Sequence, residues 1–199
     1  ALQAALASVA KLSEPLTAKA QVTRTLASLN CFACHTREGA GGPEQGRSDF
    51  FAVVGEADLG EEGRLPPHLH GVGAKLRPDW LHEVLVNKGT VRPYMATRMP
   101  QFGEANVGHL VAAFEQADSL VNSDAPEPSS ERTAKSGRKL VGREGLVCIS
   151  CHTFAQYKSL GIPAMDMTQM TRRLRKSWFR AYLIDPQSLR PGTRMPSFF

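Results

Sequence analysis

Long hydrophobic runs are missing from this chain of 199 residues. No apolar stretch approaches the roughly 20 residues a membrane span requires, so no membrane span is expected. No basic stripe interleaves with aromatic residues, and the net charge of +5 is therefore not read as a nucleic-acid surface. Strand signals are weak throughout, and no βαβ pattern of the thioredoxin type surrounds any cysteine. The chain opens at Ala1 without methionine and without a basic segment leading into an apolar one. The expectation is that a secretion signal has been removed, or that the chain belongs to something longer. No cysteine is left over either: all four fall in two short motifs.

Those motifs are Cys31-Phe32-Ala33-Cys34-His35 and Cys148-Ile149-Ser150-Cys151-His152. Cys-x-x-Cys-His is the attachment pattern of a c-type haem, with two thioether bonds and the histidine as axial ligand. Cysteines one turn apart bring both sulfurs to one porphyrin edge and set the next residue under the iron. A structural zinc or a redox dithiol also uses Cys-x-x-Cys. Zinc, however, does not ask for a histidine directly after the second cysteine in both copies. The expected cofactors are two covalently attached haem c groups. Their propionates would bring the net charge nearer to neutral.

Downstream of each motif the chain repeats itself. Leu76-Arg77-Pro78-Asp79-Trp80-Leu81 leads to Thr97-Arg98-Met99-Pro100-Gln101-Phe102, and Leu174-Arg175-Lys176-Ser177-Trp178-Phe179 leads to Thr193-Arg194-Met195-Pro196-Ser197-Phe198. Strings this specific, in the same order after the same motif, indicate duplication. Ser123-Asp124-Ala125-Pro126-Glu127-Pro128-Ser129-Ser130 has linker chemistry. The expected organisation is a first domain over 1–122, a linker over 123–130 and a second domain over 131–199. Leu2, Leu6, Val9 and Leu12 mark an extra amphipathic helix, and Val22, Leu26 and Leu29 mark the helix that delivers Cys31. Val107, Leu110, Val111 and Phe114 fall at helical spacing within Glu104 to Leu120. The expected fold class is mostly α, as two tandem helical domains with loops wrapped around haem.

His35 and His152 are the expected proximal ligands. Met99 and Met195, at matching positions before a proline, are the expected sixth ligands; the alternative for each is a core methionine filling a gap. Met95 is a rival ligand, because the first methionine loop is two residues longer than its counterpart. Thioether ligation favours ferrous iron and raises the potential. With both axial positions filled there is no place for oxygen or peroxide, which favours electron transfer over catalysis. Trp80 and Trp178 are expected in the haem pockets, with indole N–H groups free for propionates.

With these motifs, Val22 to Leu120 and Glu131 to Phe199 resemble the class I cytochromes c, in a tandem dihaem form. Tyr182 to Met195 is similar to that family's helix and methionine loop, and Pro67-His68-Leu69-His70-Gly71 to its Pro-x-Leu-x-Gly segment. The resemblance implies a proline carbonyl that accepts from the proximal histidine, Pro67 for His35 and Pro163 for His152. It also implies helical domains with one exposed haem edge, a shuttle role outside the cytoplasm (periplasmic or extracytoplasmic), and redox proteins as partners. The paired Trp and Thr-Arg-Met-Pro signature looks like haem modules of bacterial periplasmic dehydrogenases.

Several features depart from that pattern. The first domain carries a glycine-rich insertion over 38–64, read as a decorated surface loop or a docking or haem-covering flap. The second stops just past Met195, where the family places another helix. Truncation of a longer polypeptide, a partner subunit or a swapped element in a dimer would each account for that. His68, His70, His82 and His109 are read as surface or capping residues, with bis-histidine ligation as the alternative. Met165, Met167 and Met170 are read as packing, and Arg172 to Lys176 as a solvated face or a set of propionate partners. The expected function is electron transfer through two His/Met-ligated haems between a donor, such as a dehydrogenase, and an acceptor. The alternatives are a dihaem peroxidase or oxidase with one open haem, and a structural or gas-sensing module.

Overall fold

The computed structural model describes residues 2–12, 15–55, 60–90, 92, 94–118, 130–162 and 164–198. Residues 123–129 of the expected linker and Pro163 lie outside the described residues. The chain is mostly helical with two small sheets. In chain order the helices are α1 Leu2–Leu12, α2 Ala18–Ser28, α3 Glu61–Arg64, α4 Val72–Lys75, α5 Pro78–Val86, α6 Glu104–Val107, α7 Leu110–Ala117, α8 Glu131–Val141, α9 Met170–Arg173, α10 Lys176–Ile184 and α11 Pro186–Leu189.

The first half owns the main core. The Thr17 hydroxyl caps α2 by accepting from the Ala20 amide at 3.2 Å, satisfying one of the helix's orphan donors. Its apolar stripe then buries Val22 and Leu26 against Leu110, Ala113 and Phe114 of α7. Pro78 opens α5, where a missing N–H costs nothing, and the helix buries Trp80 and Leu81. The helical spacing over 104–120 is realised as two helices, because the chain tightens to a turn at Gly108 and His109. Gly73 of α4 lies so close to α7 that a Cβ there would sit 1.9 Å from the Phe114 carbonyl oxygen.

After the first cysteine motif, strands β1 (Thr36–Arg37) and β2 (Ala40–Gly41) form a hairpin. Its two turn residues, Glu38 and Gly39, both have positive φ, as a tight primed turn demands. The hairpin presents Arg37 to a buried bidentate pair: its two guanidinium nitrogens meet the Asp118 carboxylate at 2.6 and 3.1 Å. Arg37 also donates to Leu69 O at 2.6 Å and lies over the Phe114 ring, while Asp118 takes the Gly73 amide at 3.0 Å. One ion pair thus ties the motif's exit to α4 and to the end of α7.

The second half is built differently. Its opening helix α8 is capped by Ser130, which accepts from Thr133, yet α8 buries none of its residues. The core there is small, Met170, Leu174 and Trp178, with Tyr182 stacked on Trp178 at 4.8 Å. Strands β3 (His152–Thr153) and β4 (Ala164–Asp166) pair in parallel.

The repeat meets itself between the halves. Leu76 and Leu174, equivalent positions, face one another in an antiparallel bridge. The Arg77 amide donates to Arg173 O at 3.0 Å, and the Arg175 amide donates to Lys75 O at 2.9 Å. The side chains follow suit: Lys75 Nζ lies 4.6 Å from the Trp178 ring centre and the Arg172 guanidinium 5.4 Å from that of Trp80. The backbone pairing is reciprocal, as in a local two-fold contact, while the cations over the two tryptophans are one position out of register. Arg175 adds hydrogen bonds to Gly73 O and Leu76 O and an ion pair with Glu115.

Breaking a buried ion pair by neutralising one partner leaves the other charge stranded, at about 3 kcal/mol or more. Asp118→Asn is therefore expected to lower stability by about that amount, read as a lower thermal midpoint. An unchanged midpoint would show that Arg37 is solvated after all.

Candidate functional site

The two cysteine motifs adopt one backbone. Each forms a 3-10 turn, Cys31–Ala33 and Cys148–Ser150, preceded by a left-handed residue at φ 55, Asn30 and Val147 respectively. In each, the second cysteine's amide donates to the first one's carbonyl at 3.1 Å. Asparagine tolerates that conformation, but valine is β-branched and strained in it. Strain of this kind persists where the surroundings enforce it, often at functional sites. All four thiols are free and half-buried. Burial pushes the Cys31 and Cys148 thiols up from their ordinary values.

The histidines behave alike too. Nδ1–H of His35 donates to Pro67 O at 2.7 Å. Nδ1–H of His152 donates to Met165 O at 3.1 Å. A carbonyl only accepts, so the proton sits on Nδ1 and leaves the Nε2 lone pair available to a metal. Burial lowers the His35 pKa despite the Pro67 carbonyl, which favours this neutral form. The carbonyl at His152 belongs to Met165. In the register that matches Leu76 with Leu174 and Trp80 with Trp178, Met165 is the residue equivalent to Pro67. Counting back from the shared tryptophan, rather than searching for a proline, finds it.

A cavity of about 390 Å³ brings together Cys148, Cys151, His152, Trp178 and Met195, a volume within the range of small-molecule sites. Met165, Met167 and Met170 also line it. The first half closes it with Glu62, Gly63, Lys75, Arg92 and Tyr94. The second supplies Arg173, Arg190 and Arg194, so that Glu62 is the single carboxylate among the lining residues. Burial pushes Lys75 well below its usual pKa, and Arg173, Arg190 and Arg92 push it further. Arg173 is lowered to about 10, first by burial and then by Arg92. Its guanidinium has the thioether sulfurs of Met165 and Met170 at 3.3 and 3.9 Å, both weak acceptors. Buried cations in such excess over carboxylates are costly unless an anion joins them. Both ring nitrogens of His68 are also buried without a hydrogen-bond partner. The donor set therefore fits a flat, largely apolar ligand carrying carboxylates. A haem c fits: Cys148 and Cys151 would hold it, His152 and Met195 would face its iron, and the cations would take its propionates.

In the first half, Trp80 and Tyr94 line a second cavity of about 620 Å³ with Asp166 and Arg172. Met99 is 37% exposed, whereas Met95 is only 8% exposed. Three further histidines have ordinary partners: His70 accepts from the Glu38 amide, His82 pairs with Glu104, and His109 bonds Thr25. The basic run is no uniform solvated face, since Arg173 is buried, Arg172 covers Trp80 and Arg175 holds Glu115. Among the described residues no three His, Cys, Asp or Glu side chains converge as a metal site.

Sequence reasoning missed Lys75, Arg92, Arg190 and Glu62. Lys75 and Arg173 carried a signal, a cation directly before each paired leucine. Glu62 carried none, because its partners lie far along the chain.

The lowered His68 pKa, about 4, arises first from burial and then from Arg190 and Lys75. Because the folded value lies below the unfolded one, the unfolded chain binds more protons between about pH 6.5 and 4. In chain free of cofactor, stability should accordingly fall as pH drops through that window. His68→Gln should flatten the slope, measured by denaturant unfolding at each pH; an equal slope in the variant would exonerate His68.

Neither the known family models nor the curated proteins and solved structures include a match to this chain.

Proposed function

We propose that this chain is a dihaem c-type cytochrome that passes electrons between redox proteins outside the cytoplasm. The observation that carries the reading is the cavity joining Cys148, Cys151, His152 and Met195, with a surplus of cations over carboxylates in its lining and Arg173 buried among them. The matching turn and histidine geometry at Cys31, Cys34 and His35 extends it to a second group.

When bound, each haem supplies the one-electron chemistry. The chain does the rest. His35 and His152 are held in one tautomer by Pro67 O and Met165 O, which keeps Nε2 basic and correctly aimed. Lys75, Arg92, Arg173 and Arg190 would pair with the carboxylates of the bound group, and positive charge beside it would disfavour the more positive, oxidised form. Burial of Trp178 and the methionines excludes water and raises the potential. Trp80 and Trp178 lie on the contact between the halves, each beneath a cation of the other. No helix among the described residues is long and apolar enough to cross a membrane.

For the sixth ligands we propose Met195 in the second half. In the first, the repeat points to Met99 and burial points to Met95. Exposure of Met99 favours a second reading, a peroxidase or oxidase in which the first haem keeps an open position.

A haem count by pyridine hemochrome should give two groups per chain, and none would sink the proposal. The near-infrared thioether-to-iron band of the oxidised protein then separates the readings. Full intensity for two methionines, halved by Met195→Ala, supports the carrier; comparing Met95→Ala with Met99→Ala identifies the other ligand. Half intensity in the unaltered protein, with carbon monoxide binding to one ferrous haem, supports the open-site enzyme.

A further inference from the structure

The insertion over 38–64, which has no counterpart in the second half, touches both methionine loops. Its extended piece holds the first. The Val54 amide donates to Tyr94 O at 2.6 Å, the Ala96 amide donates to Ala52 O at 3.0 Å, and Val53 bridges to Met95. Its far end, α3, reaches the second. One Glu62 carboxylate oxygen accepts from Arg190 Nε; the other accepts from the Arg194 amide at 3.0 Å and the Thr193 hydroxyl at 3.2 Å.

Thr193 is the hub of that second loop and is 6% exposed. Its hydroxyl donates to Glu62 and accepts from the Met195 amide at 3.3 Å and from the Tyr182 hydroxyl at 3.1 Å. A hydroxyl has one donor and two acceptor sites, so every position is used. Gln187 Nε2 donates to the Thr193 carbonyl at 2.7 Å and its Oε1 takes the Gly192 amide at 3.1 Å. Only one side chain, the Thr193 hydroxyl, stands between Glu62 and the backbone of Met195.

We propose that Glu62 is a positioning residue for Met195: the insertion of the first half clamps the methionine loop of the second. The inference rests on the haem reading of the second half. A carboxylate suits the task because it can receive three donors at once, and charge-assisted bonds are the strong ones. Burial pushes its carboxyl up, but the Arg194 amide and Arg190 outweigh that and leave the pKa below its ordinary value. Glu62 is therefore charged at neutral pH. The clamp also makes the insertion more than surface decoration, since it sets the stiffness of a ligand loop distant in sequence.

The test compares the haem-loaded chain with its Glu62→Ala and Glu62→Gln variants. Amide hydrogen exchange reads the loop, and the thioether-to-iron band reads the ligand. In Glu62→Ala, the Arg194 and Met195 amides should exchange about tenfold faster or more. Half of the band should then vanish at a lower temperature than in the unaltered chain, with two haems still counted. Glu62→Gln, which keeps an acceptor but loses the charge, should fall between the two and guards against a folding failure of the alanine variant. Unchanged exchange at 190–195 overturns the clamp. Faster exchange with an unaltered band overturns the role toward Met195, and an unaltered chain that lacks haem or the band overturns the haem reading on which both depend.

Discussion

Everything in this structure turns on one short antiparallel contact, Lys75-Leu76-Arg77 against Arg173-Leu174-Arg175. Two backbone hydrogen bonds close it, and equivalent residues of the repeat face each other across it. Leu76 packs against the small core of Met170, Leu174 and Trp178. Lys75 of the first half and Arg173 and Leu174 of the second all line the cavity. The second half's cavity is thus partly a product of the first half.

That arrangement leaves a charge cluster that is costly in the free chain. Five cations with one carboxylate raise the energy of the free chain, and the lowered values of Lys75, Arg92 and Arg173 express it. An anionic group that binds only the folded form offsets the cost and adds stability by mass action. The second half illustrates the dependence most clearly: its core is three buried side chains, and α8 buries none. The first half, with α2 against α7 and the Arg37–Asp118 pair, has a core of its own.

Much of this was legible in the sequence, for reasons that are local. The Cys-x-x-Cys-His turns, the helix of Val22 and Leu26, and the Pro78 start depend on neighbours a few residues away. The helical spacing over 104–120 hid a break, because Gly108 leaves the periodicity intact while tightening the backbone. Pro163 was expected to accept from His152, yet the bond goes to the Met165 carbonyl, because a backbone carbonyl accepts whatever its side chain, so residue type is a poor guide to it. Glu62 and Arg92 were invisible since their meaning comes from residues that the fold brings to them. Met95 and Met99 show the limit: the repeat ranks one and burial the other.

The crossed cation–aromatic contacts have a consequence for how such a chain can change. Trp178 is covered by Lys75, and Trp80 by Arg172. Copies of a duplicated gene ordinarily drift apart, each tolerating substitutions that the other never senses. Here a change at either cation is felt first by the other copy's tryptophan. The four positions should drift as linked pairs, holding the two copies to a common history long after their surfaces have diverged.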